Sequence, residues 1–173
     1  TGSMAFKPEL TVAPDASCHD GIKILKQGVD WSGLRITVVG GGSTGCELAE
    51  WLALKNNHVT IIEKDSLLAR EMEKKNRRDL LNRLQAAGVT RRTAVQVKEI
   101  KARQVVIEDS AAVQEELSCD HLVWAAGFKP DHSFYNDAAD KIPRVFLIGD
   151  AYEARGFREA IMEGEAVGQG ARH

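Results

Sequence analysis

The sequence predicts an α/β fold in three layers, in which helices pack on a parallel sheet that carries an antiparallel β-meander as an insertion. Two observations predict the parallel sheet. Residues 36–39 and 59–62 are short, β-branched apolar runs typical of strands buried on both faces, and an amphipathic helical segment separates them. The insertion is predicted because residues 90–117 contain short runs that alternate apolar and polar side chains, as strands with one solvated face do.

The first of these strands runs directly into a glycine turn that opens a helix. Gly40, Gly42 and Gly45 have the GxGxxG spacing of the dinucleotide-binding fingerprint. Gly40 permits the turn, Gly42 lets the backbone approach a diphosphate, and Gly45 lets the helix lie close to the strand. The amides of Ser43, Thr44 and Gly45 are then expected to point at an anion, which the positive end of the helix dipole also attracts.

An acidic residue completes the motif. Glu63 ends the second strand, close to the position about 20 residues beyond the glycines where the fingerprint has a carboxylate for an adenosine ribose. The flanking strands and helix supply the context that a chance group of glycines lacks, so the sequence predicts a Rossmann-like domain that binds a dinucleotide. A carboxylate repels a 2′-phosphate, so Glu63 favours NADH over NADPH, although Lys64 would offset part of that repulsion.

The chain before this motif is predicted to contribute little regular structure. Thr1–Met4 resembles the remnant of a cleaved expression tag and is left out of the fold prediction. Residues 5–30 are predicted to form an extended connector and then a short helix. Asp15 and Ser17 are the candidate N-caps of that helix, and Gly28 is its candidate stop.

The later elements follow from periodicity and from glycine and proline positions. Gly88 would end the helix that follows Glu63, and Pro130 and Pro143 limit regular structure in the loop between them. Gly164 and Gly168 in the last helix indicate close packing under a sheet or a ligand. The predicted order is a helix at 71–87, the meander at 90–117, a strand at 120–127, the loop at 128–143, a strand at 145–150 and a helix at 156–172.

Composition and charge argue against several classes of protein. The net charge of −2 gives no reason to expect nucleic acid or an anionic membrane as a partner. No apolar run approaches the roughly 18 residues of a membrane span, and no signal peptide is recognisable, so a soluble, cytoplasmic protein is expected. The three cysteines are scattered and form no CxxC pair, and the histidines have no metal-ligand spacing. Cys46, in the first turn of the fingerprint helix, is either a thiol of lowered pKa or a small packing residue.

Several segments together resemble the two-dinucleotide-binding flavoprotein superfamily. They are VVGGGSTGCELAEWLA, the acid at the strand end, LVWAAGFKPD, and VFLIGDA followed by EAIMEGEAVGQGA. More narrowly, the chain resembles the C-terminal part of the NADH:flavin oxidoreductases related to old yellow enzyme, namely 2-enoate reductases, 2,4-dienoyl-CoA reductases and trimethylamine dehydrogenase. The resemblance implies an NAD(H)-binding domain at 31–143 and the C-terminal part of a split FAD-binding domain at 144–173.

The resemblance also implies roles for individual residues. The fingerprint residues, with Glu63 and Lys64, would hold NADH. Glu47 would lie near the nicotinamide, and Gly127 would close the loop on that side. Gly149 and Asp150 would face FAD, although a helix or turn cap is the alternative for Asp150. No catalytic residue or metal ligand is predicted.

In the intact enzyme, the resemblance implies hydride transfer from NADH to FAD. Electrons then pass to a second flavin, FMN, in a barrel region that is also the place for an iron–sulfur cluster, where an enoate or dienoyl substrate is reduced. The chain contains a single glycine fingerprint, whereas FAD needs its own. We therefore expect a fragment that does not catalyse alone and whose partners are a nicotinamide dinucleotide and the remainder of its parent chain, the FAD half-domain and the barrel.

Two other functions stay open at this point. The module could belong to a pyridine nucleotide-disulfide type reductase, such as an NADH oxidase or a ferredoxin reductase, or it could be a non-enzymatic dinucleotide sensor. A sensor should have closed surfaces. A fragment should expose an apolar, flavin-sized face around Gly149, Asp150 and Gly156.

Overall fold

The computed structural model describes residues 2–170, and the chain divides into two compact units. Lys7–Gly127 form the larger unit, and residues 2–6 combine with 128–170 in the smaller one. The strands, in chain order, are β1 (Ser3–Ala5), β2 (Thr11–Val12), β3 (Cys18–Asp20), β4 (Arg35–Val39), β5 (His58–Glu63), β6 (Thr90–Thr93), β7 (Val95–Lys101), β8 (Gln104–Asp109), β9 (Gln114–Ser118), β10 (His121–Trp124) and β11 (Phe128–Pro130). The helices are α1 (Gly21–Gln27), α2 (Ser43–Ala53), α3 (Lys74–Ala86), α4 (Ser133–Ala139) and α5 (Phe157–Gly170), and Gly149–Ala151 form a 3-10 turn.

A five-stranded parallel sheet forms the centre of the larger unit. Its strand order is β3-β10-β4-β5-β6, which places the strand before the glycine turn in the middle. Successive side chains of a strand point to opposite faces, so Val38 packs on one face of the sheet and Val39 on the other. Both residues are buried, as expected of a parallel strand covered on both sides.

Helices cover one face of this sheet and a second sheet covers the other. Leu48 and Leu52 of α2 and Leu84 of α3 are completely buried against the helical face. On the opposite face, Trp124 and Ile107 belong to a second apolar cluster, which includes side chains of a four-stranded sheet of order β2-β7-β8-β9. The predicted three-layer α/β fold with an antiparallel insertion is therefore confirmed.

Two elements of the larger unit differ from the sequence prediction. Thr90–Thr93 pairs in parallel with β5, so it is the edge strand of the parallel sheet and not the first strand of the meander. The reason is the α3 crossover, which returns the chain beside the strand it has just left. Helix α3 itself begins at Lys74, not at residue 71, because the Glu73 side chain accepts hydrogen bonds from the amides of Lys75 and Asn76.

The segment predicted as a connector also takes part in the sheet. Cys18–Asp20 pairs in parallel with β10, so this stretch is inside the larger unit. Asp20, and neither Asp15 nor Ser17, caps α1 by accepting hydrogen bonds from the amides of residues 22 and 23. Gly28 ends α1 with a φ of 72°, as predicted.

The smaller unit contains a two-stranded antiparallel sheet, two helices and the 3-10 turn. Ser3 pairs with Pro130 and Ala5 with Phe128, so the segment set aside as a tag remnant forms a strand through Ser3 and Met4. The predicted strand at 145–150 is wrong, because residues 145–148 have no regular structure and Gly149 begins the 3-10 turn. A strand needs a neighbour to bond its backbone groups, and within the described part of this unit no strand lies beside that segment.

The division into units also differs from the predicted domains. The boundary expected between residues 143 and 144 falls inside the smaller unit, and the contacts divide the chain between Gly127 and Phe128. The predicted loop at 128–143 contains β11 and α4. Helix α5 forms as predicted over residues 157–170, whereas residues 171 and 172 lie outside the described part. None of the helices between residues 2 and 170 has the length and apolar character needed to cross a bilayer.

Candidate dinucleotide-binding site

Two of the fingerprint glycines are required by backbone packing. Gly40 has a φ of 112°, and a Cβ built on it would lie 2.2 Å from the carbonyl oxygen of Ala125. A Cβ on Gly45 would lie 1.9 Å from the carbonyl oxygen of Gly40. The turn after β4 therefore fits closely against the end of β10, and α2 starts directly against the turn. These are the close approaches that the motif predicts.

Gly42 has a different environment. It is the N-cap of α2 and has no side chain with which to bond the first amides of that helix. A Cβ on Gly42 would approach a single side chain within the described structure, that of Glu71, with its Oε1 at 3.3 Å. The open side of the turn at Gly42 therefore faces a carboxylate, which is an anion.

Glu63 lies beside the turn, as predicted. Its Oε2 accepts a hydrogen bond of 2.6 Å from the amide of Gly41, and its Oε1 accepts one of 2.8 Å from the amide of Asp65. These two bonds fix the carboxylate at the carboxyl end of β5, next to the glycine turn. Lys64 follows it and is exposed. The structure thus brings the predicted acid and the predicted turn together.

Glu71 is a residue of this site that the sequence interpretation missed. Its Oε1 accepts a hydrogen bond of 2.5 Å from the Ser43 amide, which is one of the amides predicted to face the diphosphate. Burial raises the pKa of Glu71, but hydrogen bonds from the amide and hydroxyl of Ser43 and from its own amide lower it, and the net shift is downward. The chain's own carboxylate therefore occupies part of the predicted anion position.

The loop that carries Glu71 is attached to the glycine turn. Ala69 donates a backbone hydrogen bond of 2.7 Å to the carbonyl of Gly41, and both Leu68 and Ala69 are buried. The side chain of Arg77 holds the loop from α3 by donating to the Leu68 carbonyl at 2.6 Å. The only sequence signal for this arrangement was a glycine N-cap that needs an acceptor from elsewhere. Nothing in the local pattern identified Glu71 as that acceptor.

Cys46 is a packing residue. It is completely buried, and its Sγ lies 3.4 Å from the carbonyl oxygen of Gly41. Burial, followed by the nearby carboxylates of Glu71, Glu63 and Glu47, raises its pKa to about 12. The alternative of a thiol with lowered pKa is therefore wrong, because burial and negative charge outweigh the helix dipole.

The remaining predicted residues of the larger unit differ in how exposed they are. Thr44 is half-buried in the first turn of α2, and Glu47 is exposed one turn later. Gly127 is exposed after β10, with a φ of 92° and open space around the position of a Cβ. The roles of Glu47 and Gly127 toward a nicotinamide stay predictions.

In the smaller unit, Asp150 forms a turn cap. Its Oδ1 accepts hydrogen bonds from the amides of Arg155 (3.1 Å) and Gly156 (2.9 Å), directly before α5. The neighbouring Gly149 amide donates to Glu163 of α5 at 2.6 Å. The capping alternative thus describes the observed contacts of Asp150, and a role toward FAD stays a prediction for both Gly149 and Asp150.

Several known proteins are similar to this chain in sequence or in structure. NADH oxidase of Thermoanaerobacter brockii is 34% identical over 133 residues, which cover 76% of this chain and 20% of that protein. Bilirubin reductase of Mediterraneibacter gnavus is 32% identical over 131 residues, covering 75% and 20%. The structure of histamine dehydrogenase from Rhizobium sp. 4-9 superposes with a TM-score of 0.83 at 20% identity, covering 96% of this chain and 29% of that one.

These coverages show that the chain spans about one fifth of the length of the two curated relatives. The family model described as pyridine nucleotide-disulphide oxidoreductase matches residues 1–164, nearly the whole chain. The match includes the glycine turn, Glu63 at the end of β5 and most of the smaller unit. The chain belongs to the pyridine nucleotide-disulphide oxidoreductase family.

Proposed function

We propose that this chain is the nicotinamide-dinucleotide-binding domain of a flavin-dependent oxidoreductase, joined to the C-terminal part of its FAD-binding domain. The observation that carries the proposal is the glycine turn, where Gly42 and the Ser43 amide hold the chain's own Glu71 carboxylate, an anionic group, beside the fixed carboxylate of Glu63. Hydride chemistry is supplied by the nicotinamide and the flavin. The residues of this chain bind and orient the dinucleotide.

The contacts around the turn support NADH as the preferred dinucleotide. The amides of Ser43, Thr44 and Gly45 are suited to a diphosphate, because they begin a helix whose dipole favours negative charge. Glu63 is suited to the ribose hydroxyls next to it. A 2′-phosphate about 4 Å from this carboxylate would be repelled by about 1 kcal/mol even in water, and by more near a protein surface.

The surface of the smaller unit supports a fragment over a self-contained sensor. Helix α5 has no buried residue, and its apolar side chains at Phe157, Ile161 and Met162 are 90%, 68% and 58% exposed. A monomeric protein rarely exposes an apolar patch of this kind without a partner for it. We therefore propose that the remaining FAD half-domain of the parent chain covers this face, near Gly149, Asp150 and Gly156.

The reaction of the parent protein has two candidates. In the first, electrons pass from NADH through FAD to FMN and an iron–sulfur cluster in a barrel region that reduces an enoate or dienoyl substrate, as the resemblance in the sequence implies. In the second, the parent is of the NADH oxidase type, which the 34% identity to the T. brockii NADH oxidase favours. Purified full-length parent protein, supplied with NADH and either dioxygen or cinnamate under argon, separates the two by which acceptor oxidises NADH.

Calorimetric titration of the 173-residue chain with NADH and NADPH tests the dinucleotide site. We expect NADH to bind about five- to tenfold more tightly, the ratio that roughly 1 kcal/mol of repulsion produces. Glu63→Gln should bring the two affinities together, because it removes the charge but keeps an acceptor for the Gly41 amide. Asp79→Asn, an equal charge change on the exposed side of α3, should leave the ratio unchanged. A folded chain that binds neither cofactor would contradict the proposal.

A further inference from the structure

The amide end of α2 is occupied by a carboxylate from another part of the chain. Gly42 caps the helix without a side chain, and Glu71, in the loop between β5 and α3, accepts the hydrogen bond of Ser43 at 2.5 Å. In the described structure, Glu71 therefore supplies the negative charge that a helix N-terminus of this kind attracts.

This carboxylate stands where a bound diphosphate would have to approach. Its Oε1 is 3.3 Å from the position of a Cβ on Gly42, the residue whose missing side chain lets the motif's backbone contact a ligand. An oxygen at this position excludes a phosphate oxygen from the same amide. The two groups also carry like charges, so they repel each other at any distance near contact.

We propose that Glu71 is a tethered competitor of the dinucleotide, whose carboxylate binds the Ser43 amide in the free chain and has to leave before a diphosphate can bind. The proposal rests on the dinucleotide-binding function proposed above. Glu71 thereby sets the affinity of the site without being one of its ligands. Its position two residues after the buried Ala69 keeps the carboxylate close to the turn.

The surroundings of Glu71 allow the carboxylate to leave while the loop stays in place. The loop is fixed by Leu68 and Ala69, through the hydrogen bonds to Gly41 and from Arg77, and none of these contacts uses the Glu71 side chain. The Glu71 residue as a whole is exposed, so rotation of its side chain moves the carboxylate into solvent. An internal competitor raises the apparent Kd, because the intrinsic Kd is divided by the fraction of molecules in which the site is free.

The test is calorimetric titration of NADH into the wild-type chain and three variants. Glu71→Gln removes the charge and keeps the shape, Glu71→Ala removes the side chain, and Asp79→Asn is the charge-matched control on α3. We expect Glu71→Ala to bind NADH about tenfold more tightly than the wild type, which corresponds to a competitor in place about 90% of the time. Glu71→Gln should lie between the two, because it loses the charge but keeps an oxygen that can accept the hydrogen bond of Ser43. Asp79→Asn should match the wild type. Titration with inorganic pyrophosphate in place of NADH should give the same order of affinities among the four proteins.

Other results would overturn the inference in distinguishable ways. Equal NADH affinity in the wild type and both Glu71 variants would show that the site binds a dinucleotide without competition from Glu71. Weaker binding by both variants would show that Glu71 helps to hold the nucleotide. Absence of binding in all four folded proteins, with folding checked by thermal unfolding, would remove the dinucleotide-binding function itself, and the competitor would have nothing to exclude.

Discussion

The larger and smaller units bury their apolar side chains to very different extents. In the larger unit, both faces of the parallel sheet are covered, and side chains such as Ile61 and Leu52 have no exposed surface. In the smaller unit, α5 has no buried residue, and Phe157 is 90% exposed. The larger unit thus covers its core with its own helices and strands, whereas the smaller unit exposes the apolar side chains of α5 to solvent.

This difference shows that a segment can form regular structure without burying its side chains. Helix α5 forms without any buried residue because a helix satisfies its backbone hydrogen bonds within the segment. The apolar residues 145–148, which resemble a strand, remain irregular because a strand needs a neighbour for the same bonds. A partner that covers the smaller unit would therefore change its strands and surfaces more than its helices. The following predictions test this comparison, from the largest expected effect to the smallest.

Gly40→Ala should produce the largest loss of stability. The new Cβ would collide with the Ala125 carbonyl at 2.2 Å, and the backbone would have to keep a φ of 112° that alanine disfavours. We expect the free energy of unfolding to fall by roughly 4 kcal/mol, measured by urea denaturation. Gly156→Ala in the smaller unit has a similar φ of 110° but open space around its Cβ, so its smaller cost isolates the effect of the collision. Equal costs would contradict the close packing of the turn.

Leu52→Ala in the larger unit should cost far more stability than Ile161→Ala in the smaller unit, because only the first side chain is buried. Removal of the fully buried Leu52 side chain should cost about 2–5 kcal/mol. The same truncation at Ile161, which is 68% exposed, should change stability by less than about 0.5 kcal/mol. Chemical denaturation of both variants measures the contrast. A large loss at Ile161 would indicate that α5 is buried against something in solution.

Glycine-to-alanine substitutions in α2 and α5 should have opposite signs. A Cβ on Gly45 would lie 1.9 Å from the Gly40 carbonyl oxygen, so Gly45→Ala should destabilise α2 despite the higher helix propensity of alanine. Gly164 in α5 has open space at the same position, so Gly164→Ala should stabilise that helix by about 0.5–1 kcal/mol. Amide hydrogen exchange in each helix measures the change. A loss of protection in α5 would show that Gly164 packs closely against a partner.

The smallest effect should be a pH dependence confined to the larger unit. His19 Nε2 and His121 Nδ1 lie 3.0 Å apart, and Trp31 stacks on the His121 ring. Burial lowers the pKa of both histidines, His121 further lowers that of His19, and the charge of Asp120 opposes the shift at His121. The unfolded chain therefore binds more protons than the folded chain just below the ordinary histidine pKa of 6.5, so stability should be full above that pH and fall below it.

Thermal unfolding between pH 7.5 and 5.5 measures this dependence. His121→Asn should reduce the slope, because it removes one of the two coupled rings. His58→Asn should leave the slope unchanged, since His58 is exposed at the start of β5. An unchanged slope in the His121 variant would assign the pH dependence to other groups.

Much of the site around β4 could be predicted from the sequence. The order of apolar run, glycine turn, helix and acid predicted β4, α2 and β5 within two residues, and the structure brings Glu63 to the turn. The family match confirms an oxidoreductase-type domain. Which dinucleotide binds, and the roles of Glu47, Gly127 and Asp150, stay predictions that the titrations above and flavin-binding studies of the full-length protein can test.

The sequence by itself determined the elements that a local pattern specifies, namely the glycine turn, the helices α2, α3 and α5, and the apolar runs that form β4 and β5. The tertiary structure decided everything that needs a distant partner. It placed Glu71 at the helix end, made Thr90–Thr93 a parallel edge strand and left residues 145–148 without a strand neighbour. The physical reason is that a helix or a tight turn is specified by residues a few positions apart, whereas a strand pair or a tethered carboxylate depends on which remote segment the fold brings into contact.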